Sequence, residues 1–346
     1  MADIILGIES SCDDTSAAVL RDGVLLSNVI ASQQVHKDFG GVVPELASRA
    51  HEQNIVPVVS EALRKAGVKP EELTAIAFTR GPGLLGSLLV GTSFAKALSL
   101  SLDIPMVMVN HLQGHILANF IRQADKPVDE PSFPYLCLLV SGGNSQIVKV
   151  TSPLEYEILG QTIDDAVGEA FDKCSKMLGL GYPGGPVIDR LAKLGNPDRF
   201  HFAKPNIPGL DYSFSGIKTS LLYKLRDLSA GQGTALSPQQ LADIAASYQY
   251  AVVDVLARKA MAAAKAFRVR TLVAAGGVAC NAELRRVLAE RLPKGVELLI
   301  APPKYCTDNA AMVGGCGWHD FRRGAFSALD IDAFARLPAI SRVPFI

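Results

Sequence analysis

The sequence lacks paired cysteines and any recognisable targeting segment. Its six cysteines are scattered singly and no CxxC pair occurs, so neither a zinc ribbon nor a disulfide framework is indicated. The N-terminal stretch MADIILGIESSCDD is acidic and has neither the basic n-region nor the long apolar h-region of a signal peptide. Apolar stretches such as Leu84 to Leu102 contain Ser, Thr and Lys and do not match a membrane span. We therefore expect a cytoplasmic protein with reduced thiols and no membrane partner.

An excess of charge and two common catalytic motifs are also missing. Lys+Arg and Asp+Glu each total 34, so the formal net charge is zero, and any contact with RNA needs a local basic patch or a partner subunit. The absence of GxxxxGK[ST] excludes a P-loop, and the absence of GxSxG argues against a serine hydrolase. Basic residues cluster within 190–204 and 258–270. Such runs are usually solvated helix faces, but they are the best phosphate contacts that this chain offers to an RNA.

The predicted elements form the same series twice. Three strands within residues 4–28 precede alternating helices and strands that extend to about residue 123, and three strands within residues 135–160 precede a second such series that extends to about residue 318. The hairpin between the second and third strands is predicted by Asp22-Gly23. Two βββαβα halves predict an α/β fold of two duplicated lobes around a cleft, and ligands in such folds bind outside the carboxyl ends of the strands.

The same pattern predicts domain boundaries. The first lobe is expected at residues 1–125 and completed by the C-terminal segment 320–346, of which residues 327–346 are too apolar and too poor in proline for a disordered tail. Residues 126–134, rich in proline and charge, are the expected linker, and residues 135–319 the expected second lobe. Within that lobe, residues 195–240 are polar and read as a loop-like insertion.

A candidate metal site begins with His111 and His115. Their spacing places both imidazoles on one face of a helix that follows a predicted strand. The intervening Leu-Gln-Gly lacks the glutamate of a HExxH protease. Asp308 would complete a set of two histidines and one carboxylate that leaves open positions on iron or zinc. The alternatives are two partly exposed helix histidines and an aspartate that serves as a helix N-cap.

Glycine turns mark a second candidate site. Ser141-Gly142-Gly143-Asn144 follows a buried strand, and Gly276-Gly277 leads towards Asn281 at a predicted helix start. Exposed N–H groups at such turns and helix ends suit phosphate or carboxylate. A plain hairpin turn and a tight strand–helix connection capped by Asn281 are the alternatives.

Several acidic residues have both a functional and a structural interpretation. Asp172 on a predicted helix suits ribose hydroxyls or a solvated pair with Lys173. Asp189 follows a rigid Gly184-Gly185 loop that covers a nucleotide or merely ends a helix. In the polar loop after the first strand, Asp13 and its neighbour suit a metal–phosphate complex, a base or a simple turn.

In their order and spacing these segments resemble one family along nearly the whole chain, the bacterial TsaD family, which is related to the Kae proteins and was once labelled O-sialoglycoprotein endopeptidase. The motifs that carry the resemblance are Ile5 to Thr15, Gly81-Pro82-Gly83, His111 to His115, Leu139 to Gly143, Gly168 to Lys173, Tyr182 to Pro186, Gly276-Gly277 with Asn281, and Cys306 to Asn309. Asp14 stands where many relatives have Glu.

The resemblance implies an actin/Hsp70/sugar-kinase-like fold of two RNase H-like lobes around a nucleotide cleft. It implies that threonylcarbamoyl passes from threonylcarbamoyl-AMP to N6 of the adenosine at position 37, which is 3′ of the anticodon, in tRNAs reading codons that begin with adenine, and that AMP leaves. It also implies two partner proteins, a TsaB-like paralogue and a TsaE-like ATPase.

The resemblance assigns roles to particular residues. His111, His115 and Asp308 are expected to hold one divalent metal ion, with Fe²⁺ expected first and Zn²⁺ second. The adenylate is expected at Leu139, Val140, Ser141, Gly142, Gly143, Asp172, Gly185, Asp189 and Asn281. Asp13 is the candidate catalytic residue near the amine.

Three other functions stay open on the sequence alone. The HxxxH spacing suggests a metalloprotease or glycoprotease, although the glutamate that would serve as its base is missing. The expected fold suggests a sugar-kinase-like phosphotransferase, for which phosphorylation by ATP without tRNA would be the sign. A nonenzymatic scaffold that binds nucleotide is the third.

Overall fold

The chain divides into two compact units. The computed structural model describes residues 2–33, 35–124, 129–153, 155–232 and 236–336. One unit comprises Met1–Pro131 with Ala301–Ile346, and the other comprises Ser132–Ile300.

The first unit is built on a six-stranded sheet in the order β5-β4-β1-β2-β3-β6. The first three strands form an antiparallel meander, and β4 and β5 run parallel to β1. Asp22 and Gly23 both have positive φ, so the hairpin predicted there is confirmed. The strands are β1 (Ile4–Glu9), β2 (Asp14–Arg21), β3 (Val24–Ser32), β4 (Ala75–Gly81), β5 (Met106–Asn110) and β6 (Arg122–Gln123).

Helices cover both faces of this sheet. On one face Leu6 and Ile8 of β1 join a buried core with Ile55, Val59 and Ala95 of the first two helices. On the other face Gly7 lets the last helix approach closely, since a Cβ there would lie 2.5 Å from the carbonyl oxygen of Ala310. The helices are α1 (Pro44–Ala66), α2 (Leu85–Leu102), α3 (His111–Ile116), α9 (Pro303–Cys306) and α10 (Ala310–Phe321).

The second unit repeats the topology of the first. Its sheet has the order β11-β10-β7-β8-β9, in which β7, β8 and β9 are antiparallel neighbours and β10 and β11 run parallel to β7. Its strands are β7 (Tyr135–Val140), β8 (Ser145–Ser152), β9 (Glu155–Gln161), β10 (Thr271–Ala275) and β11 (Glu297–Ile300), and its helices are α4 (Val167–Met177), α5 (Gly184–Ala192), α6 (Ser215–Gln232), α7 (Pro238–Phe267) and α8 (Ala282–Arg291). The predicted α/β fold with a duplicated strand order is therefore confirmed.

The predicted C-terminal boundary of the second lobe at residue 319 is wrong. Residues from Ala301 onwards belong to the first unit, because α10 packs on β1, β2 and β4. Gly314 and Gly317 make that packing close, since a Cβ on either would lie within 2.3 Å of Leu20 or Ala77. The transition between the units falls between Pro131 and Ser132; within the predicted linker, residues 126–128 lie outside the described residues.

The predicted loop-like character of residues 195–240 is wrong over α6. Asp164 organises the start of this helix, because it accepts hydrogen bonds from the backbone N–H of Phe214 (2.8 Å) and from the hydroxyls of Ser213 and Ser215. Ile217 and Leu221 are fully buried on the same helix. Ile217, Leu221, Leu225 and Leu228 recur at the spacing of one helix face, a signal that the prediction of a polar loop overlooked.

Among the residues that the structure describes, one helix is long and apolar enough to cross a membrane by length and composition. It is α2, which packs against α1 and β4 within the first unit. About a third of its apolar window is buried in this way.

Candidate metal centre and nucleotide site

The two histidines of the candidate metal site are placed by the connection between β5 and α3. Asn110 ends the strand, and its side-chain oxygen accepts hydrogen bonds from the backbone N–H groups of Leu112 (2.9 Å) and Gln113 (3.4 Å). This N-cap starts the helix at His111, so the i,i+4 spacing places His115 beside it. The two imidazole rings are 4.8 Å apart between centroids and nearly perpendicular.

Asp308 approaches both histidines from another part of the first unit. Its Oδ1 lies 3.1 Å from Nε2 of His115 and 3.5 Å from Nε2 of His111. The helix that follows is capped by Asn309, whose side chain accepts a hydrogen bond from Met312 N–H (3.1 Å). The alternative interpretation of Asp308 as the N-cap is therefore wrong, and its carboxylate is directed to the histidines.

Glu9 is a further residue of this site that the sequence alone did not single out. It ends β1, its side chain is fully buried, and its Oε2 lies 3.1 Å from Nδ1 of His111. The same carboxylate accepts hydrogen bonds from Ser11 N–H (2.5 Å) and Thr79 Oγ1 (2.8 Å). The available signal was a single acid at the end of an otherwise apolar strand.

The electrostatics of this group follow from burial and mutual charge. Burial would lower the pKa of His111, but the carboxylates of Asp308 and Glu9 outweigh it and raise that pKa to about 9. Burial would raise the pKa of Asp308, but the two histidines lower it below its usual range. The buried carboxylate of Glu9 and the half-buried carboxylate of Asp308 therefore face two imidazoles, which is an environment that favours a cation.

The residues present fit a divalent metal ion. One ligand atom from each of His111, His115 and Asp308 can be chosen so that all three lie within 4.8 Å of one another. Two imidazoles and one carboxylate form the donor set of metal sites with open positions for a substrate. Glu9 is hydrogen-bonded to Nδ1 of His111, which leaves Nε2 as the atom that could bind the metal. Carboxylates commonly orient metal-binding histidines in this way.

The polar loop after β1 lies beside this group. Ser11 Oγ is 3.0 Å from Nδ1 of His111, and Ser10 Oγ donates to the carbonyl of Ser87 (2.9 Å). His51 of α1 is buried and holds the loop, with Nε2 3.0 Å from the carbonyl oxygen of Cys12. Asp13 is half-buried in this loop, and its place in the reaction stays a prediction.

In the second unit the predicted adenylate residues begin at the end of β7. Leu139 and Val140 are fully buried strand residues. Ser141 closes the following turn through its N–H, which donates to the carbonyl of Asn144 (2.8 Å). Gly142 and Gly143 have open space where a Cβ would lie, so a ligand can approach the backbone there.

The remaining predicted residues join α4, α5 and α8 into a chain of contacts. Asp172 accepts a hydrogen bond from the N–H of Gly184 (2.7 Å) at the start of α5. Lys173 instead pairs with Asp165 and Glu169, both at 2.7 Å, so the alternative pairing of Asp172 with Lys173 is wrong.

Asp189 and Asn281 continue the same chain of contacts. Asp189 Oδ1 accepts from the N–H of Ala282 (3.2 Å), and Asn281 caps α8 by accepting from Leu284 N–H (2.9 Å). The amide of Asn281 also donates to Gln249 Oε1 (2.8 Å), a residue that the sequence did not single out. Gly185, one turn before Asp189, has open space at its Cβ position.

The turn at Gly276 places this chain of contacts against the end of β7. Gly276 has φ of +89°, and a Cβ there would lie 2.3 Å from the carbonyl oxygen of Val140. The carboxyl ends of β7 and β10 are therefore adjacent, and all nine predicted adenylate residues belong to the second unit. Ligands in α/β folds bind at this edge of a sheet.

Comparison with protein families and curated proteins gives a consistent result. Residues 24–315 match the family model described as "TsaD: tRNA N6-adenosine threonylcarbamoyltransferase". A protein of that name from Porphyromonas gingivalis is 59% identical over 335 residues, which cover 96% of this chain and 98% of the relative. A protein of the same name from Phocaeicola vulgatus is 56% identical over 97% of this chain and 99% of its own.

Solved structures resemble this chain in fold alone. HypF from T. kodakarensis matches with a TM-score of 0.62 at 14% identity, over 94% of this chain and 48% of its own. Component A of the (R)-2-hydroxyglutaryl-CoA dehydratase of Acidaminococcus fermentans matches with a TM-score of 0.51 at 16% identity, over 92% and 98%. The first five strands of the six-stranded sheet follow the same order as the strands of the five-stranded sheet. Together with this duplication, the matches confirm the predicted actin/Hsp70/sugar-kinase-like fold.

Proposed function

The chain belongs to the family of tRNA N6-adenosine threonylcarbamoyltransferases, and from this premise we propose that it transfers threonylcarbamoyl from threonylcarbamoyl-AMP to N6 of adenosine 37 in tRNAs that read codons beginning with adenine. The observation that carries the proposal is the convergence of His111, His115 and Asp308, whose ligand atoms lie within 4.8 Å of one another. The family model and the curated relatives confirm the predicted family resemblance, and the substrates and residue roles are proposed.

The proposed reaction is an acyl transfer. The N6 nitrogen attacks the carbamoyl carbonyl carbon, a C–N bond forms, and the bond from that carbon to the phosphate oxygen breaks. AMP leaves with the electron pair, and N6 loses a proton. Because an exocyclic adenine amine is a weak nucleophile, orientation of the partners and polarisation of the acyl group must supply most of the acceleration.

The first unit contributes the proposed metal ligands. A divalent metal held by His111, His115 and Asp308 would supply Lewis-acid polarisation of a substrate oxygen. Glu9 holds the Nδ1 proton of His111 and so keeps Nε2 directed at Asp308. Imidazole and carboxylate suit both Fe²⁺ and Zn²⁺, and we propose Fe²⁺ first. Asp13 is proposed near the reacting amine.

The second unit contributes the proposed adenylate contacts. Gly142 and Gly143 offer backbone N–H groups without a Cβ in the way, which suits the phosphate that becomes the leaving group. Asp172 and Asp189 are proposed to contact ribose hydroxyls, and Asn281 a ribose or base edge. Leu139, Val140, Ser141 and Gly185 complete the proposed site.

Partners and location follow from the same proposal. We propose that tRNA is the acceptor, and that a TsaB-like paralogue and a TsaE-like ATPase act with the chain in the cytoplasm. A neutral net charge is consistent with a tRNA surface that is local or shared among subunits.

The test is transfer of labelled threonylcarbamoyl from threonylcarbamoyl-AMP to a tRNA transcript, with partner proteins and metal supplied. We expect labelled tRNA with the wild type and none with His111→Ala/His115→Ala. Unchanged labelling by the double variant would remove the metal from the mechanism. A wild type that never labels tRNA under these conditions would overturn the transferase proposal and favour a nucleotide-binding alternative.

A further inference from the structure

A cluster of three cations surrounds a single carboxylate in the second unit. Asp254 of α7 is 8% exposed when the whole residue is counted. It is 2.9 Å from Lys204 Nζ, 3.1 Å from Arg258 Nε and 2.6 Å from Arg291 Nη1. We call these three cations, Lys204, Arg258 and Arg291, the basic cluster. Its members come from the segment before α6, from α7 and from the end of α8, so the fold assembles it.

The charges of the basic cluster are not balanced. Burial would raise the pKa of Asp254, but hydrogen bonds from Lys204 and Arg291 outweigh it and lower that pKa, so the carboxylate stays ionised. Within the ranges that the structure describes, Asp254 is the only carboxylate that pairs with these three cations. One negative charge against three positive charges leaves a local excess of two.

This excess faces solvent. The side chains of Lys204, Arg258 and Arg291 are 32%, 51% and 34% exposed, whereas that of Asp254 is 10% exposed. A buried carboxylate that needed only neutralisation would be satisfied by one cation. The arrangement instead uses Asp254 to hold three donors in place while their charge remains accessible, which lowers the conformational cost of binding an anion.

Arg286, on the same helix α8, shows the opposite balance. It pairs with Glu283 and Glu290, both at 2.6 Å, and its side chain is 52% exposed. One cation there meets two carboxylates, so no positive charge is left for an external anion. Exposure alone therefore does not distinguish the basic cluster; the charge balance does.

We propose that the basic cluster is a contact surface for backbone phosphates of the tRNA. The inference rests on the proposed function, because it needs RNA as the acceptor. Lys and Arg are the residues that bind phosphate, and Arg does so with a planar fork of donors. Lys204 also lies over the ring of Tyr250, 4.6 Å from its centroid, so an aromatic face accompanies the cations. The chain has no net charge, so such contacts must be local.

The position of the cluster suits an RNA that extends away from the reacting adenosine. Asn281, a proposed adenylate contact, caps the first turn of α8, and Arg291 ends this ten-residue helix, which is about 15 Å long. The surface is thus a few nucleotides away from the proposed nucleotide site within the same unit. Sequence-independent phosphate contacts at this distance would position the tRNA without reading bases.

The experiment compares tRNA binding by the full chain over a series of salt concentrations. The variants are Arg258→Gln/Arg291→Gln, the control Arg286→Gln and the conservative Arg291→Lys. Lys204 still pairs with Asp254 in the double variant, and circular dichroism checks that each variant is folded. The slope of log Kobs against log[salt] counts neutralised phosphates at about 0.7–0.9 per contact.

We expect the slope for the double variant to be smaller by about 0.7–0.9 for each contact removed. The double variant should bind tRNAs of unrelated sequence more weakly than the wild type does, by a similar factor for each tRNA. Its KM for tRNA should rise while its kcat stays unchanged. Arg286→Gln should match the wild type, and Arg291→Lys should retain most of the slope. An unchanged slope in the double variant, or an equal loss in Arg286→Gln, would overturn the proposal.

The binding slope is readable even if the chain transfers nothing, so failure of the proposed function is seen separately as a wild type without labelled tRNA. Variants that lose an acidic protein partner but keep the wild-type salt slope would assign the basic cluster to that partner and would also overturn the proposal.

Discussion

The two units share a strand order but differ in what they place at the strand ends. In the first unit, the ends of β1 and β5 carry Glu9 and His111, which are side chains that bind protons or metal. In the second unit, the matching ends of β7 and β11 lead into Ser141-Gly142-Gly143 and into Ala301-Pro302. The first proposed site therefore consists of side chains, whereas the second combines backbone groups at the end of β7 with the side chains of Asp172, Asp189 and Asn281. One scaffold can serve both because its strand ends set positions and not chemistry.

The largest expected effect is loss of the metal from the first unit. Replacing His115 by Ala removes one of the three proposed ligands and leaves the half-buried Asp308 with one imidazole. We expect metal affinity to fall by more than the roughly 10–100-fold that loss of an outer-shell partner costs. Competition with a chelator measures this, and His201→Ala, which removes an exposed histidine of the second unit, should leave affinity unchanged. Equal affinity in both variants would contradict the assignment.

Glu9→Gln tests the outer partner of His111. The amide keeps nearly the same shape and can still accept from Nδ1–H, but it lacks the charge that stabilises a metal-bound imidazole. We expect metal affinity to fall about 10–100-fold. Thr79→Ser keeps a hydroxyl donor to Glu9 and is the matched control. If the loss in Glu9→Gln follows unfolding, measured by thermal denaturation, and not metal release, the residue is structural.

Two glycines of the second unit separate packing from ligand approach. Gly276→Ala places a Cβ 2.3 Å from the carbonyl oxygen of Val140 at a φ of +89°, and we expect the free energy of unfolding to fall by about 1–3 kcal/mol. Gly142→Ala has open space, so stability should stay near that of the wild type while transfer slows because a methyl group blocks the adenylate. Denaturant unfolding and transfer assays measure the two effects. A destabilised Gly142→Ala with normal transfer would reverse this comparison.

A smaller effect concerns the pKa values of two half-buried carboxylates, Asp14 in the first unit and Asp172 in the second. Burial raises the pKa of Asp14 to about 6, against a hydrogen bond with Ser32 that lowers it. Burial also raises the pKa of Asp172, but N–H groups of Gly184 and Gly185 oppose the rise. A carboxyl whose pKa is higher in the folded state stabilises the fold while protonated, and this contribution is lost as pH rises through the folded pKa.

We therefore expect Asp14→Asn to stabilise the protein by about 1–2 kcal/mol at pH 8 and by little at pH 4. Thermal denaturation across this range measures the difference. Asp227→Asn, at an exposed position on α6, is the control. A gain at pH 4 as large as that at pH 8 would show that the titration of Asp14 does not cause it.

Much of the fold followed from local patterns in the sequence. Asp22-Gly23 predicted the hairpin because few other residue pairs accept positive φ at both turn positions. Helix α1 likewise begins at Pro44 and ends before Gly67, and these residue types suit the two ends of a helix. The assignment of α10 to the first unit could not be predicted in this way. It depends on Gly7, Gly314 and Gly317 making room for close packing between segments that are far apart in sequence.

The candidate site likewise contains residues that a local sequence pattern predicts and residues that only the fold brings together. His111 and His115 were predictable because their spacing matches one helical turn, and Asn110 supplies the cap that starts that helix. The contact of Glu9 with His111 joins residues about a hundred positions apart and has no local signal. In the sequence, Lys204 and Arg258 belong to two separate basic runs and Arg291 belongs to neither. Only the fold brings these three residues together around Asp254.

We propose above all that His111, His115 and Asp308 bind one metal ion in the first unit. The most direct measurement is elemental analysis of the purified wild type and of His111→Ala/His115→Ala after dialysis against metal-free buffer. We expect close to one divalent metal ion per wild-type chain, with iron first and zinc second, and almost none in the variant. Equal metal content in the two proteins would contradict it.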